Sequence, residues 1–366
     1  MDAHRDTRSP LTLWTTWAPI ATLPVLVAGW GRSIPVLVAL LIAVLLGAAV
    51  LAAVHHAEVV AHRVGEPFGS LLLAVAVTII EVGLILTLTA SGGHGAQTLG
   101  RDTVFAAVII TCNGIVGASI LAGSKKGPVV FNAEGGGGAL ATVTILTGVC
   151  LVLPTFTTST PGPQFSTQQL TFAAVASLAL YVLFVLTQTG RHRDFFLPVD
   201  ETGAPLEEDH ARPPSNRQTW TSAGLLLVSL VGVVGLAKIE SKSLESLVSA
   251  VGLPQAVVGV VIAVVVLAPE TLAAVRAARR GRMQISLNLA YGSAMASVGL
   301  TVPVLAVATL WSDTPLLLGL APVHILLFAL TVIAGVLTVV PGRATRLQGG
   351  LHLALLAAYL FLSANP

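Results

Sequence analysis

The sequence predicts an all-α polytopic membrane protein of about eleven transmembrane helices, one extra N-terminal span followed by two inverted five-helix repeats. Three observations carry this. Hydrophobic residues make up 54% of the 366-residue chain and charged residues 10%, far below the ~25% of a soluble domain; mean hydropathy is +0.87. The apolar residues fall in runs of about 20, the length that crosses a bilayer. The basic residues between the runs collect on alternate sides. A net charge of +2 gives no ground for a nucleic-acid partner, so the lipid bilayer is the expected surroundings.

Counting apolar runs between charged or Pro/Gly-rich breaks places spans at residues 11–29, 34–54, 69–90, 103–123, 138–157, 170–189, 219–237, 247–274, 286–310, 316–340 and 347–362. Arg5 and Arg8 precede the first run as in a signal peptide. No small-residue cleavage pattern closes it, so the span is read as retained. The longest polar interruption, 190–218, carries Asp200, Glu201, Glu207, Glu208 and Asp209. It reads as a solvated acidic linker, with a weak cation-binding or regulatory role as the sharper alternative. The expected division is therefore 1–32 for the N-terminal segment and first span, 33–189 for the first repeat, 190–218 for the linker and 219–366 for the second repeat.

Charge sidedness tests the count. With the N-terminus in the cytoplasm, Arg5, Arg8, Arg63, Lys125, Lys126, Arg191, Arg193, Arg212, Arg217, Arg276, Arg279, Arg280, Arg282, Arg343 and Arg346 fall inside. Only Arg32, Arg101, Lys238 and Lys242 fall outside. A wrong count would scramble that bias. The C-terminus is then outside, and the third and eighth spans cross in opposite directions, as equivalent helices of an inverted repeat do.

Two carboxylates stand out: Glu81 and Glu270 are the acidic residues that fall well inside predicted spans. An ionisable group at bilayer depth costs at least ~2.5–3.5 kcal/mol, which makes a functional site the default reading. No Lys or Arg lies mid-span to pair with them. Permanently protonated, hydrogen-bonded core acids are the bland alternative; desolvation favours the protonated form of a carboxylic acid, which a proton carrier also needs. Thr78 precedes Glu81 by three residues and so shares its helix face, offering a hard oxygen suited to Ca²⁺ or Na⁺. Pro269 precedes Glu270. Proline has no amide hydrogen, which frees the carbonyl of Val265 four residues back. The Val265 and Ala268 backbones are secondary ligand candidates.

The following spans add polar groups. Asn113 lies mid-span, where an amide has few bland uses. Ser286, Ser293 and Ser297 form one stripe, and Gly292, Ala296 and Gly299 permit close helix approach. Ser293 is the stronger ligand candidate and Ser297 a secondary one; helix–helix contact is an equal alternative for each serine. His55, His56 and His62 with Glu58 and Glu66 sit at the cytoplasmic end of the second span, placed to guide cations or sense pH. Their spacing is not that of a zinc hydrolase. His324 and His352 read as buried structural histidines. Cys112 and Cys150 read as buried small hydrophobes, not a disulfide framework.

These residues carry a resemblance. Arg63-Val64-Gly65-Glu66-Pro67-Phe68-Gly69 followed by Val77-Thr78-Ile79-Ile80-Glu81 resembles the first repeat of bacterial ChaA-type calcium (sodium, potassium)/proton antiporters. These form part of the cation/proton exchanger branch of the calcium:cation antiporter superfamily. Gly252-Leu253-Pro254, Leu267-Ala268-Pro269-Glu270, Arg279-Arg280 and Ser286-Leu287-Asn288-Leu289-Ala290-Tyr291-Gly292-Ser293-Ala294 are similar to the second repeat. Asn113 and Phe131-Asn132 match further elements of the same family. The superfamily's Gly-Asn-x-x-Glu has Thr78 in place of its Asn in the first repeat and Leu267 in the second, so position 267 carries no side-chain oxygen. The resemblance implies eleven spans, a cytoplasmic acidic segment, and glutamates that alternately bind cation and proton in a bacterial cytoplasmic (inner) membrane.

The expected activity is alternating-access antiport of Ca²⁺, with Na⁺ or K⁺ as further cargo, for protons around Glu81 and Glu270. No cofactor is expected, and the sequence is silent on oligomeric state. A cation channel using the same acids as a filter is the competing reading. An intramembrane enzyme is remote, because no nucleophile or metal motif adjoins the carboxylates.

Overall fold

The computed structural model describes residues 14–32, 34–64, 68–90, 95–125, 127–190, 192–199, 214–250, 252–254, 256–311 and 315–366. Glu66 and the linker acids Asp200, Glu201, Glu207, Glu208 and Asp209 lie outside the described residues.

The described chain is nearly all helix, as an apolar chain must be when its backbone groups have no water to bond. In order the helices are α1 (Trp14–Gly29), α2 (Val36–Val64), α3 (Phe68–Ala90), α4 (Ala96–Ile109), α5 (Val116–Gly123), α6 (Ala133–Thr147), α7 (Thr167–Thr189), α8 (Asn216–Ala250), α9 (Ala256–Arg279), α10 (Met283–Ala308), α11 (Pro322–Val339) and α12 (Arg346–Ala364). A π-helical turn, Ile110–Ile115, joins α4 to α5 and makes one rod of them. Among the described residues nine helical stretches, in α2, α4–α5 and α6 to α12, are long and apolar enough to cross a membrane. Helix α1 has 16 residues, and α3 contributes the shorter apolar stretch Val75–Thr89.

Polar caps set several helix starts. The Asn132 side chain accepts from the backbone N–H of Glu134 (2.9 Å) and Gly135 (3.2 Å), starting α6. Ser166 with Gln169 and Thr345 with Gln348 form capping boxes at α7 and α12. Each satisfies amide donors that the first helical turn leaves without intrahelical partners. Two short strands, β1 (Val129–Val130) and β2 (Arg343–Ala344), pair antiparallel and tie the start of α6 to the start of α12.

Packing divides the chain into two units. The first holds α1, α2, α3 as far as Thr87 and α8 as far as Leu244. Its helices meet at small residues: a Cβ on Gly83 of α3 would lie 2.5 Å from Val234 of α8, and one on Gly235 would lie 2.5 Å from Leu26 of α1. Small residues let apolar helices approach without a hydrophobic drive between them. The second unit holds the remaining helices. There α10 packs against α4, α6, α7 and α9, while α5 packs against α9 and α12. Tyr291, Met283 and Leu287 of α10 are among its fully buried side chains.

Several helices outrun the expected spans. Helix α2 continues past residue 54 to Val64, carrying His55, His56, Glu58 and His62. Helix α8 continues past residue 237 to Ala250, so Lys238, Glu240 and Lys242 ride on the helix and not in a loop. Hydropathy counting stops at the first charges, whereas a helix can extend beyond the hydrocarbon with long side chains reaching for water. Glu240 lies beyond the expected span at 219–237, yet it sits on α8 and is 8% exposed.

Candidate cation site

Glu81 and Thr78 lie on α3, in the first unit. Both are buried, Glu81 at 4% exposure, while Val75 and Ile79 of the same helix are exposed. The three-residue spacing thus sets a carboxylate and a hydroxyl on one inward face.

Glu270 lies on α9, in the second unit, and is 5% exposed. Ser293 of α10 donates its hydroxyl to Glu270 Oε2. This bond arises because α9 and α10 pack together and the serine stripe faces inward: Ser286, Ser293 and Ser297 are all buried. Pro269 sits inside α9. It withholds the amide hydrogen that would close a helical bond on the Val265 carbonyl. Val265 and Ala268 are half-buried. Thr271 donates to the Leu267 carbonyl at 2.7 Å, so the turn around Pro269 and Glu270 contains one carbonyl taken by a hydroxyl and one without its usual donor.

Asn113 sits in the π-helical turn, fully buried, on a segment that packs against both α9 and α10. Its amide nitrogen donates to Thr331 Oγ1 of α11 at 2.9 Å. Its Oδ1 lies 3.0 Å from His352 Nδ1 of α12, and His352 Nε2 lies 3.0 Å from Thr338 Oγ1. π-Helical turns occur frequently at functional sites, since the extra residue re-aims the side chains around it.

The structure therefore brings Glu270 and Ser293 into direct contact, sets Thr78 beside Glu81 on one helix face, and carries Asn113 on an element touching α9 and α10. Glu81 and Glu270 belong to different units. His62 is exposed, while His56 is tied to the Thr15 carbonyl at 2.9 Å and Ser222 Oγ at 3.2 Å. Cys112 and Cys150 are free and buried.

The partners of Asn113 escaped the sequence reading. Thr331, Thr338 and His352 meet only through tertiary packing, and each alone is an ordinary helix residue. Asp102 escaped as well: it is 6% exposed and accepts from Arg101 Nε and Nη2, both at 2.8 Å. Arg101 Nη1 also donates to the Gly319 carbonyl at 3.0 Å. The adjacent Arg-Asp pair was the signal, masked because it stood at the edge of an apolar run.

Among the described residues no three His, Cys, Asp or Glu side chains cluster as a metal-holding group. A hard cation at either glutamate would draw its remaining oxygens from hydroxyls, amides and backbone carbonyls.

Long apolar helices with carboxylates, hydroxyls and an amide turned inward define a polytopic membrane protein with a polar interior. The sodium/calcium exchanger protein family matches residues 33–190 and 221–365, and the chain belongs to that family as a ChaA-type cation/proton antiporter. It is 44% identical to the y4hA protein of Sinorhizobium fredii, over 90% of this chain and 89% of that one. It is 34% identical to the sodium-potassium/proton antiporter ChaA of Escherichia coli, over 93% of each chain. The fold is similar to the solved structure of the calcium/proton antiporter YfkE, at a TM-score of 0.68 and 18% identity, covering 95% of this chain and 98% of that one. Such relatives are transporters, and the enzyme reading falls away.

Proposed function

We propose that the protein exchanges Ca²⁺ for protons across the bacterial cytoplasmic membrane by alternating access, with Na⁺ and K⁺ as further cargo, and with Glu81 and Glu270 binding cation and proton in turn. The observation that carries the reading is the Glu270 cluster: a buried carboxylate that accepts from Ser293 and sits beside the helix-interrupting Pro269. Deprotonated, the two carboxylates bind the cation with oxygens from Thr78, Asn113, Ser293 and the Val265 and Ala268 backbones. Protonated, they are neutral and release it. One set of groups cannot hold both cargoes, and that competition couples the two gradients.

Two carboxylates neutralise one Ca²⁺, and the same pair can hold Na⁺ with a proton shared. The ChaA relative is named for sodium and potassium, which makes those ions the direct competitors. The proposed topology has eleven spans, a cytoplasmic N-terminus, an outer C-terminus and two inverted repeats at 33–189 and 219–366, joined by the cytoplasmic linker 190–218. The charge bias of the loops supports it. Purified protein in proteoliposomes tests the function. With Ca²⁺, Na⁺ and K⁺ supplied in turn, saturable flux of at least one ion must require an opposing proton gradient. Flux that persists after the gradient is collapsed, without saturation, contradicts antiport.

A further inference from the structure

We infer that His352 of α12 is a positioning residue for the cation site: its ring, uncharged and protonated at Nδ1, holds the oxygen of the Asn113 amide in a set direction. This rests on the reading above that Asn113 contributes to that site.

The hydrogen-bond directions follow from the end of the chain. The Thr331 hydroxyl donates to the Leu327 carbonyl at 2.8 Å, so its single proton is spent. Toward Asn113, 2.9 Å away, Thr331 can only accept, and the amide group facing it must be the NH₂. The amide oxygen then faces His352 Nδ1 at 3.0 Å. An oxygen cannot donate, so Nδ1 carries the hydrogen. With Nδ1 as the donor, a neutral ring has Nε2 as its acceptor. In that neutral ring Thr338 Oγ1, 3.0 Å from Nε2, is the donor. A single directed path results: Thr338 to His352, His352 to Asn113, Asn113 to Thr331, Thr331 to Leu327. All four side chains along it are buried, Asn113 and His352 completely.

Packing explains why these two residues meet. One turn along from Asn113, Gly117 of α5 faces Gly349 of α12. A Cβ at Gly117 would lie 2.9 Å from the Gly349 carbonyl and 3.1 Å from the His352 Cβ, and one at Gly349 would lie 3.1 Å from the Gly117 carbonyl. Two glycines let the helix axes close, and the imidazole then spans to the amide. Thr331 sets which end of the amide faces it, and the His352 donor holds the Oδ1 end; without that donor the buried oxygen loses its partner and its set direction. With it, one Oδ1 lone pair is committed to His352 and the other keeps a set direction.

Two substitutions separate positioning from bulk packing. His352→Leu fills the space and removes the donor. His352→Asn puts an amide NH₂ where Nδ1 stands. In proteoliposome flux His352→Leu should raise the apparent KM for the transported cation about tenfold, the scale of one lost hydrogen bond, and leave the maximal rate largely unchanged. His352→Asn should recover most of that loss. An unchanged KM in His352→Leu, or no recovery in His352→Asn, overturns the inference.

A second measurement needs no variant and no transport. Leu351-His352 is the only Leu-His pair in the sequence, so carbonyl-labelled leucine with ¹⁵N-labelled histidine assigns this ring in lipid nanodiscs. A neutral ring protonated at Nδ1 is expected, and one protonated at Nε2, or charged, overturns the assignment. Should the ring be as expected while the protein carries no proton-coupled flux, the antiport reading fails and the His352–Asn113 arrangement stands.

Discussion

Ser293 donates its hydroxyl to the buried carboxylate of Glu270, joining α10 to α9 at the residue on which the proposed exchange depends. A buried carboxylate binds few donors, so losing this one should be felt in cation binding. Ser293→Ala is expected to raise the cation KM about tenfold, on the scale of a hydrogen bond to a charged group. Ser293→Thr, which keeps the hydroxyl, is expected to stay closer to the parent. Initial rates over a range of cation concentrations check both.

Pro269 should show function and stability in opposition. It interrupts α9 beside Glu270, and proline in a helix interior costs ~3 kcal/mol against alanine. Pro269→Ala restores an amide hydrogen to the Val265 carbonyl. We expect it to raise the thermal denaturation temperature in detergent while weakening cation binding severalfold, read by melting and flux on the same preparation. A variant that melts lower and transports normally would count against a ligand role for the freed carbonyl.

The α5–α12 contact should tolerate no added bulk. Gly117→Leu would push the helices apart, and overpacking of this kind costs about 1–3 kcal/mol. Gly137 of α6 has nothing within 4 Å of an added Cβ, so Gly137→Ala should be neutral or slightly stabilising, by up to ~1 kcal/mol. Comparative thermal unfolding in detergent separates the two.

The Arg101–Asp102 pair should be structural. The pair is nearly closed to solvent, with the Asp102 side chain 7% exposed. Removing one partner of a buried ion pair strands the other charge at a cost of about 3–5 kcal/mol. Arg101→Ala should therefore lower the yield of folded protein in size-exclusion profiles, while removal of both charges in Arg101→Leu with Asp102→Asn should recover much of it.

Much of this arrangement was legible in the sequence. Glu81 and Glu270 were visible because a carboxylate inside an apolar run is expensive, and Thr78 and Ser293 because helical spacing puts them on inward faces. The helix ends were less legible. Lys238, Glu240 and Lys242 ended the apolar run of α8, yet the helix carries on to Ala250 because charge does not break a helix. The set around Asn113 could not be read at all. It depends on Gly117 meeting Gly349 and on the direction of four hydroxyl, amide and imidazole hydrogen bonds, none of which leaves a periodic trace.

Proton-driven cation uptake by Glu81→Gln and Glu270→Gln in inverted vesicles tests the central claim most directly. Each substitution keeps the side-chain shape and removes the ability to exchange a proton for a cation. The account predicts that either variant, expressed and folded like the parent, loses ΔpH-driven Ca²⁺ uptake and also any Na⁺ or K⁺ uptake the parent has. Full uptake by either variant would contradict it.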